Sequence, residues 1–201
     1  DLQYTKNDWR NRNKIKTMEG VRWVTIPSGT NEKRLIHEVT LCDSLWQKKH
    51  WNLIKNSYSK APYWNEYKEF FENFYMDKEW TNLSILNQYL IKTITKNFLG
   101  NKNTQFDDSR KYNLKEKKEA RVLELLEKVG ASEYISGPAA KSYISEQNFI
   151  DKNINLTWFD YVGYKPYEQL GQGFVHDVSI IDVLFNCGPE ALLYTRGKHE
   201  Q

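Results

Sequence analysis

Apolar and polar residues alternate near the start of the chain, which is typical of a β-hairpin. Residues 14–26, KIKTMEGVRWVTI, predict two short strands joined by a tight turn at Glu19 and Gly20. Residues 35–41, LIHEVTL, alternate in the same way and predict a third strand. The first part of the chain is therefore expected to form a small sheet.

The middle of the chain has the three- to four-residue periodicity of amphipathic helices. Asp43 is a suitable N-cap for a helix whose apolar face carries Trp46, His50, Leu53 and Ile54. Two more helical segments are predicted from EYKEFFENFY and SILNQYLIKTITKNF, the second ending at Gly100. A further helix is predicted from a capping box at Asn113 and Glu116, with Gly130 as its end.

The last third of the chain mixes both patterns. EYISGPAAKSYI predicts a short buried strand, a Ser-Gly turn and a helix with Pro138 at its first position. INLTWFDY alternates as a strand, and VSIIDVLFN predicts a helix capped by Asp177 and ended by Gly188. Strands before, between and after helices predict one α/β domain over residues 1–201, with a layered, mixed and partly parallel sheet and a helical middle segment.

Composition narrows the class of protein. Twenty-nine basic and 26 acidic residues give a net charge of +3, far from the excess of a dedicated nucleic-acid binder. The two cysteines, Cys42 and Cys187, lack the spacing of a metal site, and a cytoplasmic address is expected. No apolar run approaches the roughly 20 residues that span a bilayer. Motifs such as HExxH and GxSxG are absent, so neither a metal nor a serine nucleophile is predicted.

Arg10 and Arg12 are the first candidates for ligand binding. At positions i and i+2 of an extended segment both guanidinium groups point to one face, and Lys14 extends the row. A guanidinium group binds phosphate or carboxylate with two parallel hydrogen bonds, which a lysine cannot do. The alternative is that these charges only discourage pairing at an exposed strand edge.

His50 and Asp182 are the candidates for proton transfer. His50 lies on the apolar side of its helix, where a histidine is commonly a core residue, but in a cleft its usual pKa of about 6.5 would suit a base. Asp182 is flanked by apolar residues on a helix that should be buried. A buried carboxylate needs a partner, which is structural as readily as catalytic.

The corner at Ser136 and Gly137 is a third candidate. Its small residues allow close approach of a ligand, the following helix start presents backbone N–H groups to an anion, and Lys141 lies one turn into that helix. The corner is neither a glycine-rich phosphate loop nor a dinucleotide fingerprint, and such turns are common connectors.

Five segments in this order resemble the WbqC-like family of bacteria: QYTKNDWRNRNKIKT, VRWVTIP, KKHWNLIKNSYSKAPYW, EYISGPAAKSYI and VSIIDVLFNCGPEALL. The resemblance implies a place in gene clusters for O-antigen and other surface polysaccharides, and a role as a glycine or aminoacyl transferase to an amino sugar. It also implies an upstream strand and helix with a QP-x-x-x-P-x-x-GY-like stretch, after which this chain starts. The strand and helix order is loosely similar to nucleotidylyltransferases and to ATP-dependent pantothenate synthetases.

The leading hypothesis is a transferase that acylates the amino group of a nucleotide-linked deoxysugar, with the carboxyl group of the donor activated by ATP or by attachment to an acyl carrier. Arg10, Arg12 and Lys141 would hold phosphate. Gln3, Asn11 and Asn13 would bind sugar or acyl groups, and His50 or else Asp182 would act as the base. Two alternatives stay open: an adenylate-forming or nucleotidyl-transferring enzyme, and a non-catalytic sugar-nucleotide or nucleic-acid binding module.

Overall fold

The computed structural model describes residues 2–41 and 43–195, and the chain divides into two units. Unit 1 combines Asp1–Thr104 with Lys165–Thr195, and unit 2 is built from Gln105–Tyr164. Unit 1 contains an antiparallel pair of strands and unit 2 a parallel pair. The expected α/β class is confirmed, with its parallel and antiparallel pairs in two separate small sheets.

The predicted hairpin is present in unit 1. Strands β1 (Arg12–Thr17) and β2 (Gly20–Thr25) pair from Arg12 opposite Thr25 to Thr17 opposite Gly20. The prediction of a third strand at residues 35–41 is wrong, because Ile36–Glu38 form a 3₁₀ helix. The Glu38 carboxylate accepts a hydrogen bond from the Leu35 N–H at 2.7 Å, and this local bond closes a tight turn where a strand ladder was expected.

Three helices follow in unit 1: α1 (Leu45–Tyr58), α2 (Trp64–Glu72) and α3 (Leu83–Thr93). The Asp43 carboxylate accepts from the Leu45 N–H at 2.9 Å, so that it caps the first turn from one position before Ser44, the N-cap residue. Helices α2 and α3 each continue into one π-helical segment, Asn73–Asp77 and Ile94–Phe98.

The chain returns to unit 1 through two helices, α6 (Ile180–Cys187) and α7 (Ala191–Thr195), with the 3₁₀ turn Gly188–Glu190 between them. The N-cap of α6 is Ser179, whose hydroxyl accepts from the Ile181 N–H at 3.4 Å, rather than the predicted Asp177. Phe185 is fully buried and packs against an aromatic cluster in the core of unit 1: Tyr58, Trp64, Tyr67 and Phe71.

Unit 2 combines two short strands with short helical elements. Strands β3 (Glu133–Ser136) and β4 (Asn155–Trp158) run parallel, joined by the 3₁₀ helix Pro138–Ser142 and by α5 (Glu146–Ile150). Helix α4 (Lys118–Lys128) precedes them. The unit has its own apolar core, formed by Leu123, Leu126, Ala140, Ile144, Phe149 and Ile154.

The predicted capping box of α4 is wrong. Asn113 has a left-handed backbone with φ 48° and ends a preceding 3₁₀ turn, and α4 begins at Lys118. The segment that leads into α4 is stabilised instead by Glu124, whose carboxylate accepts hydrogen bonds from the N–H groups of Lys115 and Glu116 at 2.8 and 3.0 Å. A carboxylate eight residues further along the chain therefore does the work expected of Glu116.

Candidate ligand-binding cavity

A cavity of about 380 Å³ opens in unit 1. Its interior is largely apolar, with walls from α2, α3 and α6 that include Phe71, Phe74, Leu86, Leu90, Ile94 and Ile180. The polar groups come mainly from the segment before and within β1: Arg10, Asn11, Arg12 and Asn13, together with His50 of α1. An apolar cavity of a few hundred Å³ with a few convergent polar groups is typical of a small-molecule site.

Both π-helical segments contribute to this cavity. Phe74 and Tyr75 belong to the first and Ile94 and Thr95 to the second, and all four residues line the cavity. π-Helical turns are rare in proteins and occur frequently at functional sites. The cavity thus lies where two neighbouring helices widen, which favours a functional origin over a packing defect.

Arg10 lies in a turn and not in the strand, contrary to the prediction of one extended segment. The N–H groups of Asn11 and Arg12 both donate to the Asp8 carbonyl, at 3.2 and 3.1 Å. The Arg10 guanidinium forms an ion pair with the Asp8 carboxylate and lies 4.6 Å from the centre of the Trp9 ring. Most of its charge is therefore already compensated inside the protein.

Arg12 is the more available cation. It is the first residue of β1, and its guanidinium lies 4.2 Å from the centre of the Trp23 ring. Within residues 2–41 and 43–195 no carboxylate forms an ion pair with it. Lys14 contacts the same ring, at 5.2 Å, as the two-residue spacing along a strand predicts. An anion at the cavity mouth would meet Arg12 first.

Asn11 supplies a buried acceptor to the cavity wall. Its side chain is buried, and its amide nitrogen donates to the Ile26 carbonyl at 3.2 Å and to the Ser28 hydroxyl at 3.1 Å. In the described part of the chain its Oδ1 has no hydrogen-bond partner. Since an unsatisfied buried acceptor is costly, Oδ1 is an atom at which a ligand donor would be stabilising.

His50 lines the cavity as a neutral ring. Its Nε2 lies 3.0 Å from the carbonyl oxygen of Thr25, which can only accept, so Nε2 carries the proton and Nδ1 has a lone pair. Burial lowers the pKa of His50 to about 4. The ring packs edge-on against Trp46 and Tyr75. His50 can therefore accept a hydrogen bond at neutral pH but holds a full proton poorly.

Asp182 is the centre of a buried hydrogen-bond network. The hydroxyls of Tyr58 and Tyr167 donate to its carboxylate at 2.9 and 2.7 Å, and Gln169 Nε2 donates at 2.9 Å. Burial and the nearby carboxylate raise the pKa of both tyrosines, so they remain protonated donors. Asp182 is not among the described residues that line the cavity. Its contacts indicate that it joins α1, α6 and the segment between β4 and α6.

The other predicted residues lie elsewhere. Gln3 uses its side-chain nitrogen to donate to the Glu32 carbonyl at 2.8 Å and does not line the cavity. Ser136, Gly137 and Lys141 belong to unit 2. The helix after Gly137 is a five-residue 3₁₀ turn, and Lys141 Nζ lies 5.4 Å from the centre of the Trp158 ring. The cavity is thus lined by unit 1 residues, five of which were predicted.

Several lining residues were not predicted. Trp9 is 73% exposed at the cavity rim, and Asn87 of α3 donates to the Arg10 carbonyl at 2.8 Å, which holds the turn in place. The available signal in α3 was Ile91, an apolar residue that lies beyond the buried face formed by Leu83 and Leu86 and lines the cavity. An excess of apolar positions on one helix indicates a second apolar surface.

The described residues contain no group of three or more His, Cys, Asp or Glu side chains that could hold a metal ion. None of the described helices has the length and hydrophobicity needed to cross a membrane. Cys187 is a buried free thiol, and Cys42 lies outside the described residues.

Together, the fold and the cavity define a mixed α/β protein whose unit 1 contains a cavity with the size and lining that are typical of small-molecule sites. The chain belongs to the WbqC-like protein family, whose model matches residues 1–194. It is 41% identical over 198 residues to the uncharacterized protein Rv1507c of Mycobacterium tuberculosis (strain ATCC 25618 / H37Rv), covering 98% of this chain and 85% of the relative. No solved structure matches the chain.

Proposed function

We propose that the protein transfers an acyl group from an activated donor to the amino group of a nucleotide-linked amino sugar in the cytoplasm. This is the reaction class that the resemblance to the WbqC-like family implies for glycine and other aminoacyl groups in surface-polysaccharide synthesis. The observation that carries the proposal is that Arg10, Asn11, Arg12, Asn13 and His50 line one cavity.

The rim of the cavity suits a phosphate-linked substrate. Arg12 offers a planar guanidinium with no ion-pair partner in the described residues, and charge-assisted hydrogen bonds to phosphate are stronger than neutral ones. The exposed Trp9 ring beside Arg10 offers a flat apolar surface to a nucleobase or sugar. In this arrangement the nucleotide lies at the mouth and the sugar amine points inward.

The transfer needs an uncharged amine and a place for its proton. The amine nitrogen forms a bond to the donor carbonyl carbon, the bond from that carbon to the carrier breaks, and the carrier leaves with the electron pair. The proton lost by the nitrogen moves to the leaving carrier. His50 Nδ1 accepts a hydrogen bond from the amine and so directs the nitrogen lone pair at the carbonyl carbon.

The test is a mass-spectrometric assay of acylated sugar nucleotide with the His50→Gln variant. A positioned base or acceptor commonly contributes about a hundredfold or more, so we expect kcat to fall by about that factor with substrate Kd retained. His176→Gln, which removes an exposed histidine, is the matched control. Unchanged kcat in His50→Gln would show that His50 takes no part in the reaction. Absence of product with the wild type would contradict the proposed transferase activity.

One observation favours a second candidate, an adenylate-forming enzyme. Ser136 is the last residue of β3 and Gly137 follows it, β3 pairs in parallel with β4, and ligands of parallel α/β sheets bind at the carboxyl edge of the strands. An enzyme of this class would exchange labelled pyrophosphate into ATP in the presence of a carboxylic acid. A non-catalytic binding module would be stabilised by a sugar nucleotide and would give neither product nor exchange.

A further inference from the structure

We infer that the interior of the cavity holds the hydrocarbon chain of an aliphatic acyl group, so that the donor is a fatty acyl thioester and not an activated amino acid. This inference rests on the proposed function, whose acyl donor it names. Three properties of the cavity support it: the chemistry of its inner wall, the sign of its charges and its volume.

The inner wall is hydrocarbon. Phe71 and Leu86 at the wall are almost completely buried, and Leu90 and Ile94 continue the same surface along α3. A sugar or a glycyl group would leave most of this surface without a partner, because each carries more polar atoms than carbon atoms able to cover it. An alkyl chain removes its own apolar surface and that of the wall from water at once.

The charges of the cavity are of one sign. The charged side chains among its described lining residues are Arg10 and Arg12, and none of those residues is Asp or Glu. A glycyl donor carries an ammonium group, which in a buried site needs a carboxylate or several carbonyl oxygens. The charge of Arg10 is largely compensated by Asp8, but the Arg12 guanidinium has no ion-pair partner in the described residues and would repel the ammonium group. The same guanidinium attracts the carboxylate of a free fatty acid or the phosphate of a thioester carrier.

The volume sets the length of the chain. A methylene group occupies roughly the 30 Å³ that a water molecule takes in the liquid, so the 380 Å³ of the cavity, which include its mouth at Trp9 and Arg12, accommodate at most on the order of ten such groups. The donor is thus a medium-chain acyl thioester. The amine of the sugar attacks its carbonyl carbon, the C–S bond breaks, and the thiolate leaves and takes up the proton lost by the amine.

The test is calorimetric titration of the protein with a series of straight-chain carboxylates from acetate to dodecanoate. We expect affinity to rise about fourfold per added methylene until the chain reaches about eight to ten carbons, and then to level off. Octylamine, with the same chain and the opposite charge, is expected not to bind measurably. Affinity that does not change with chain length, or octylamine binding as tightly as octanoate, would overturn the inference.

Two variants of α3 locate the chain. Leu90→Trp, which fills the cavity, should shorten the preferred chain by several carbons and weaken decanoate at least tenfold. Ile85 lies on the outer face of the same helix and is 62% exposed, so Ile85→Trp should leave the carboxylate affinities unchanged and is the matched control. If circular dichroism shows that Leu90→Trp is folded and its carboxylate affinities equal those of the wild type, the carboxylates bind elsewhere and the inference is wrong.

Different results would contradict the fatty acyl inference and the transferase proposal. If the carboxylate series behaves as expected but octanoyl thioester yields no acylated sugar, the transferase proposal fails and the chain-binding cavity stands. If a glycyl donor is transferred with a higher kcat/KM than an octanoyl donor, the transferase stands and the fatty acyl assignment is wrong.

Discussion

Burial of His50 has a consequence for stability at acid pH. The unfolded chain takes up a proton near the usual histidine pKa of about 6.5, whereas the folded protein does so only near pH 4. The unfolded state therefore binds more protons between these values, and the free energy of unfolding falls as the pH is lowered through them. The full effect of the ring is about 3 kcal/mol, present above pH 6.5 and lost towards pH 4.

Urea unfolding of wild type and His50→Gln at pH 7 and pH 4.5 measures this effect. We expect the wild type to lose about 2 kcal/mol more than the variant over that range. His176→Gln, at an exposed position that does not line the cavity, is the control and should lose as much as the wild type. Equal losses in wild type and His50→Gln would contradict the burial of a neutral ring.

Asp182 is expected to act on stability and not on the reaction. Asp182→Asn replaces one of two acceptor oxygens by a donor that faces the Tyr58 or Tyr167 hydroxyl, so at least one charge-assisted bond is lost. Such bonds contribute about 2 to 3 kcal/mol, which corresponds to a melting temperature lower by about 5 to 10 °C. Asp177→Asn, at an 84% exposed carboxylate, is the control and should change little. Normal stability with lost turnover would make Asp182 catalytic.

At the scale of elements, the turn after α6 depends on one glycine. Gly188 has φ 56° and ψ −128°, a conformation that is accessible almost only to glycine, and a Cβ there would overlap the Tyr63 ring. Gly188→Ala is expected to lower the free energy of unfolding by about 3 kcal/mol or more, measured by urea denaturation. Gly100→Ala, at φ 67° with open space around it, should lower it by only about 1 to 2 kcal/mol. Equal losses would show that the ring contact has no effect.

Elements with strong local signals could be predicted from the sequence. The hairpin around Gly20, the helices of the middle segment and the parallel strands β3 and β4 follow from periodicity and turn residues. The errors at 35–41, Asn113 and Asp177 share a cause. At each position a nearby polar group, such as the carboxylate of Glu38 or Glu124, accepts the hydrogen bond of a backbone N–H group for which the sequence pattern predicted another acceptor. Competition between equivalent local acceptors is not visible in residue type and spacing.

The cavity could be predicted only in part. The two-residue spacing indicated Arg10 and Arg12, and helical periodicity placed His50 beside apolar residues. The apolar wall could not be predicted, because α3 residues that face a cavity have the same periodicity as residues that face a core. The low pKa of His50 comes from burial of its ring, which outweighs the opposite effect of the hydrogen bond to the Thr25 carbonyl. The ring is buried beside Tyr75, and both Tyr75 and Thr25 are distant from His50 along the chain.

At the scale of the whole molecule, unit 1 is assembled from both ends of the described chain. Ser179 N donates to the Lys14 carbonyl at 2.7 Å, and Tyr58 donates to Asp182 across 124 positions of sequence. These contacts bring Ile180 and Ile181 of α6 to the same cavity as Trp9 and Arg12. The cavity is therefore a product of long-range packing, which single-sequence patterns do not encode.

The central claim is that this cavity binds an anionic small molecule through Arg12. The most direct test is calorimetric titration of a nucleoside-diphosphate amino sugar into wild type, Arg12→Ala and Arg22→Ala. Arg22 lies on the same hairpin, paired with Glu19 at 2.6 Å, and does not line the cavity. We expect Arg12→Ala to weaken binding by about tenfold to a hundredfold with little change in melting temperature, and Arg22→Ala to bind like wild type. Wild-type affinity in Arg12→Ala, or equal weakening in both variants, would contradict the claim.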